Sequence, residues 1–105
     1  MTANYEFEWD PSKALANLDK HAVSFDQAAT MFLDALALTV YDAANSLDED
    51  RWFTLGFDAA GQLLAVAHTY RSDKSKTGEE TIRIRIISAR KATKRERRFY
   101  HEEPR

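Results

Sequence analysis

Alternation of apolar and polar side chains opens the chain. Tyr5, Phe7 and Trp9 interleave with Glu6 and Glu8, which predicts a short strand with one buried face. Asp10-Pro11 then starts a helix: Asp10 can cap free backbone N–H groups, and Pro11 suits a first helical position that needs no donor. Ala14, Leu15 and Leu18 supply its apolar stripe, and Lys20 and His21 suit the negative pole at its end. Ser24-Phe25-Asp26-Gln27 is a capping-box pattern opening a second helix to about Leu33, with Phe25, Ala28, Ala29 and Phe32 as its core face.

Beyond Asp34 the period changes from helical to extended. Residues 37–41, 51–57 and 63–71 are rich in β-formers, and Asp58-Ala-Ala-Gly61 fits a hairpin turn. A polar stretch, 72–80, reads as a mobile hairpin loop. Thr81 to Ser88 is the strongest strand, with Ile82, Ile84 and Ile86 on one face and Arg83 and Arg85 on the other. Thr93-Lys-Arg-Glu96 is another capping box, opening a basic final helix. The predicted order is β-α-α-β-β-β-β-α, an α+β fold with a mostly antiparallel sheet and helices over one face.

At 105 residues the chain suits one domain, 1–105, with aromatic residues enough for a single core. It has no cysteine, which excludes disulfides, thiol nucleophiles and Cys-based zinc sites. Its three histidines form no H-x-x-x-H pair, so no metal or other cofactor is expected. The acidic N-terminus lacks an apolar leader pattern and no apolar run approaches the ~20 residues of a membrane span, so a cytoplasmic protein without membrane contact is expected. The net charge of −2 conceals a division. Residues 1–50 carry two basic side chains against ten acidic ones, whereas 51–105 carry thirteen against seven. Such a split points to an anionic partner on one surface.

Arg83 and Arg85, two residues apart on a strand, stand about 6–7 Å from one another, close to the spacing of successive phosphates. Arg71 and Arg51 border neighbouring strands. The competing reading is that these arginines pair with carboxylates on adjacent strands. Cleaving RNA without a metal requires deprotonating the 2′-hydroxyl, stabilising the pentavalent phosphate and protonating the leaving oxygen. Lys20, His21 and His68 are the available proton carriers, although His68 also fits a partly buried strand position and Lys20-His21 a helix terminus. Asp48-Glu49-Asp50 reads as a solvated turn rather than a Mg²⁺ site, and no phosphate-binding loop or nucleophile elbow is present.

Two segments carry a specific resemblance: residues 7–25, FEWDPSKALANLDKHAVSF, and residues 84–97, IRIISARKATKRER, with Tyr100 beyond. With Phe32-x-Asp34, Glu49-x-Arg51 and the Gly56 position, they resemble the BrnT family of ribonuclease toxins from type II toxin–antitoxin modules. The resemblance implies a RelE-like fold, metal-independent endoribonuclease activity, a BrnA-like antitoxin in a heterotetramer with an antitoxin dimer, and operator DNA bound only through that antitoxin. It maps function onto Lys20, His21, Arg51, Arg85 and Arg90; the strand pattern, apart from the resemblance, adds Arg71, Arg83 and His68 as RNA contacts. Ala22 stands where the family pattern has glycine; if φ is positive there, alanine costs roughly 1 kcal/mol. That substitution motivates the alternative of a catalytically weak antitoxin-binding subunit, and the basic helix after Thr93 that of a nucleic-acid-binding regulator. The 72–80 loop also looks longer than the family's.

Overall fold

A computed structural model describes residues 4–104. The order is β1 (Asn4–Glu8), α1 (Pro11–His21), α2 (Phe25–Thr30) continued by a 3₁₀ turn (Met31–Leu33), β2 (Leu38–Tyr41), β3 (Trp52–Phe57), β4 (Leu63–His68), β5 (Arg71–Lys74), β6 (Glu80–Lys91) and α3 (Lys94–Glu102). Among the described residues the six strands form one sheet in the order β1-β6-β4-β3-β2, with β5 also paired to β6. All pairings are antiparallel except β1 with β6, whose parallel register aligns Phe7 with Ile84.

The helix starts follow their sequence signals. The Asp10 carboxylate accepts from the Ser12 N–H at 2.8 Å, and the Ser24 hydroxyl accepts from Gln27 at 3.0 Å. Thr93 and Glu96 form a reciprocal capping box. The end of α1 is strained: Ala22 is left-handed, at φ 57°, with its N–H bonded to the Leu18 carbonyl.

Three expectations require correction. First, the helices do not share one face. The apolar residues of α1 and α2 cover Leu64, Val66, Ile82, Ile84 and Ile86, whereas Tyr100 of α3 packs with Leu55, Leu63 and Ala65 on the other side. The cause is β4, an unbroken apolar run with neighbouring side chains buried on opposite faces. Second, the run 63–71 is not one strand. Its register shifts at Ala67/His68, the strand is interrupted at Thr69–Tyr70, and β5 resumes antiparallel pairing along the same β6 in the same direction. The order therefore gains a strand, and the polar loop shrinks to a turn closed by the Ser75 N–H bonded to Glu79 at 2.8 Å. Third, Leu15 and Leu18 point outward, 70% and 48% exposed, while Ala14 is half-buried and Asn17 buried.

Asn17 explains that rotation of α1. β1 covers β6 only as far as Arg85. Past that point the Asn17 amide donates to the Ala89 carbonyl at 2.8 Å and accepts from its N–H at 3.0 Å, as a strand would. It also donates to the Val23 carbonyl at 2.9 Å. Satisfying these buried backbone groups outweighs burying two leucines. Gly56 permits a second close approach: a Cβ there would lie 3.1 Å from the Met31 carbonyl oxygen.

Candidate functional site

Strand alternation places Phe53 and Leu55 of β3, and Arg51 just before it, on the α3 side of the sheet, together with Arg83, Arg85 and Arg90 of β6 and Arg71 of β5. Five of the predicted arginines thus share one face, and each has a carboxylate partner. Arg83 donates to Glu6 at 2.7 Å and to Asp73 at 3.1 Å, and Arg71 lies 3.4 Å from Asp73. Arg85 bonds Glu49, which also lies 4.0 Å from Arg51. The acidic turn is therefore engaged rather than merely solvated; its Asp50 accepts from the Tyr41 hydroxyl at 2.9 Å.

Most of these pairs are open to water, Glu6, Glu49 and Asp73 being 43–56% exposed at the side chain. Exposed pairs of this kind contribute about 0–1 kcal/mol each, so an anion with better geometry can displace the carboxylate. Arg90 differs. Its guanidinium is held bidentately by Glu96 at 2.7 and 3.0 Å and lies 5.4 Å above the Phe53 ring. That hydrogen bonding raises Arg90 further above its ordinary pKa and holds Glu96 below the usual carboxylate range. Beside it, Val40, Phe53, Leu55, Arg95 and Phe99 line an apolar groove of about 470 Å³ between β2, β3 and α3.

The predicted proton carriers lie elsewhere. Lys20 and His21 end α1 and border, with Ile87 and Ser88, a depression of about 230 Å³ at the edge of β6 beyond β1. None of the five arginines lines it. His68 sits on the opposite face from the arginines and is 2% exposed. Its Nδ1 lies 2.9 Å from the Thr69 carbonyl, its Nε2 2.6 Å from the Thr54 hydroxyl, and its ring edge-on to Phe32 with centroids 5.0 Å apart. Burial pushes its pKa below the ordinary histidine value.

Sequence reasoning missed three groups. Glu49 as the partner of Arg85 and Glu96 as that of Arg90 went unnoticed, because ion pairing across elements leaves no local spacing. Asn17 was hidden inside a leucine pattern. The third group is a pocket of about 360 Å³ around His68, bordered by Tyr5, Phe32, Trp52 and Tyr70. Its signal was available: wherever Arg51, Arg71 and Arg85 face one way, Trp52, Tyr70 and Ile84 face the other.

Among the described residues no helix is long and apolar enough to cross a membrane. A family model described as the ribonuclease toxin BrnT of type II toxin–antitoxin systems matches residues 9–96. No curated protein matches the chain.

Proposed function

Because the chain belongs to the BrnT family of ribonuclease toxins from type II toxin–antitoxin systems, we propose that it is a single-domain, RelE-like, metal-independent endoribonuclease acting in the cytoplasm. The observation that carries this reading is the convergence of Arg51, Arg71, Arg83, Arg85 and Arg90 on one face, the first four held by exposed carboxylates that a phosphodiester can replace. The two helices opposite α3 and the mostly antiparallel sheet support the RelE-like assignment.

In this mechanism Arg85 and Arg90 hold the scissile and flanking phosphates, and Arg71 and Arg83 extend the grip along the strand. A base takes the 2′-hydroxyl proton, the 2′-oxygen bonds to phosphorus, and the P–O5′ bond breaks as an acid protonates the leaving oxygen. Lys20 and His21 lie off the arginine face, so for either to exchange these protons the RNA must run from that face to the β6 edge at the end of α1. Arg51 stabilises the charge of the pentavalent phosphate. The products are a 2′,3′-cyclic phosphate and a free 5′-hydroxyl. A BrnA-like antitoxin dimer neutralises the toxin in a heterotetramer and alone contacts operator DNA.

Mapping the ends of RNA treated with purified protein in EDTA tests the reading. Cyclic phosphate ends are expected; intact RNA, or cleavage that EDTA abolishes, overturns it. The strained Ala22 beside His21 favours one alternative, a catalytically weak antitoxin-binding subunit. Expression without antitoxin separates the two, since unhindered growth with abundant folded protein supports the alternative.

A further inference from the structure

The pocket around His68 is back to back with the arginine face. Arg51 and Trp52 are chain neighbours, as are Tyr70 and Arg71, with each pair split across the two faces at the same end of the sheet. No charged side chain lines the pocket, which excludes a phosphate or a carboxylate and favours a neutral ligand. Its volume of about 360 Å³ lies at the lower end of the roughly 300–1,000 Å³ typical of small-ligand sites. The walls are aromatic, and the Trp52 ring is held edge-on by Tyr41, with centroids 5.0 Å apart. A flat, neutral, polarisable group is the natural occupant.

The polar floor has a definite direction. A carbonyl oxygen can only accept, so the Thr69 carbonyl requires the proton on His68 Nδ1. His68 Nε2 is then an acceptor, and the Thr54 hydroxyl must donate to it. Thr54 has spent its proton, so in its 2.9 Å bond with Thr39 the Thr39 hydroxyl is the donor. Thr39, at the exposed end of this relay, presents only lone pairs to whatever enters.

We propose that this pocket is a nucleobase site, in which an unpaired base of the RNA stacks on Trp52 and Tyr70 and donates from an exocyclic amine to the Thr39 hydroxyl. Adenine, cytosine and guanine carry such an amine, whereas uracil has a carbonyl at the corresponding position and only its ring N3–H to donate, so the site selects against uridine. His68 is a positioning residue here: it fixes the direction of the relay without touching the base. The inference rests on RNA being the ligand, and it adds a reader of base identity on the face that the phosphate-binding arginines do not occupy. A strand gripped by Arg51 and Arg85 reaches it by turning an extruded base around the end of the sheet, as enzymes that take a base out of a strand do.

Free nucleosides, which carry no phosphate, separate this inference from the reading of the arginine face. The experiment follows Trp52 emission of the full chain in a Trp9→Phe background during titration with cytidine, adenosine and uridine. Saturable quenching is expected, with cytidine and adenosine binding about fivefold more tightly than uridine, the worth of one hydrogen bond. Thr39→Val should bring all three to the uridine level, and Tyr70→Ala should weaken all three by about tenfold. Both positions are exposed, so these variants should fold. The proposal is overturned if no nucleoside alters the emission, if the preference survives Thr39→Val, or if only an antitoxin protein alters the emission, which would make the pocket a protein-docking surface. Nucleoside binding without RNA cleavage would fault the ribonuclease reading and leave this one standing.

Discussion

The two faces of the same sheet end hold polar groups in opposite ways. On the α3 side, Arg51, Arg83 and Arg85 meet carboxylates in water, through pairs that each stabilise the fold by at most about 1 kcal/mol and can exchange partners freely. On the α1–α2 side, Thr54 and His68 are buried with every hydrogen bond committed; leaving one such group unpaired costs about 1–3 kcal/mol. Adjacent residues on one strand thus serve a displaceable surface and a fixed one. Ligand exchange requires the first kind of surface, and reading a base requires the second.

Substitutions that act on one face only test this contrast. The largest expected effect is on function: Arg85→Ala should lower RNA cleavage about 100-fold or more, as loss of a donor to the transition-state oxyanion does. Its folding free energy should fall by less than about 1 kcal/mol. Single-turnover cleavage and urea unfolding of one preparation measure both, and a large stability loss would show that the arginine pairs are structural. Thr54→Val should invert the pattern, losing about 2 kcal/mol of stability by stranding the buried Nε2 of His68. A Tm unchanged from that of the parent chain would refute the relay.

Acidification should also separate the faces. Buried His68 resists protonation, whereas in the unfolded chain it protonates near the ordinary value of about 6.5. Stability contributed by neutral His68 is therefore complete above that value and declines as pH falls below it, by up to about 1.4 kcal/mol per pH unit. Glu96 has a lowered pKa, so the Arg90 pair is retained until the pH drops below the ordinary carboxylate range. Unfolding measured from pH 7 to 5 should show the first loss, and His68→Gln should flatten it. The smallest effect lies on neither face. Ala22→Gly should stabilise by about 0.5–1 kcal/mol through relief of the left-handed alanine; denaturant midpoints would reveal it, and a lower midpoint would show that the turn is not strained.

Local chemistry made much of the fold legible. The caps at Asp10, Ser24 and Thr93 and the alternation of isoleucine with arginine in β6 depend on neighbours within a few residues, and all reappear in the structure. Features set by distant partners were not legible. Asn17 meets Ala89 across 72 positions, so the leucines beside it suggested the wrong buried face. Nothing near Tyr70 announces that β6 is long enough for two successive partners on one edge. The arginines could be assigned to a common face, but Glu49 could not be joined to them without the turn that delivers it. The placement of α3 was recoverable, since an uninterrupted apolar run such as Leu63–Ala67 requires cover on both sides.

Asn17 has a consequence beyond the packing of α1. A β6 edge left bare past Arg85 would offer unpaired backbone groups to any extended chain, inviting strand addition and self-association. One carboxamide closes that template. Its removal should therefore be felt as loss of solubility, most acutely when the protein is made in excess of whatever partner shields it.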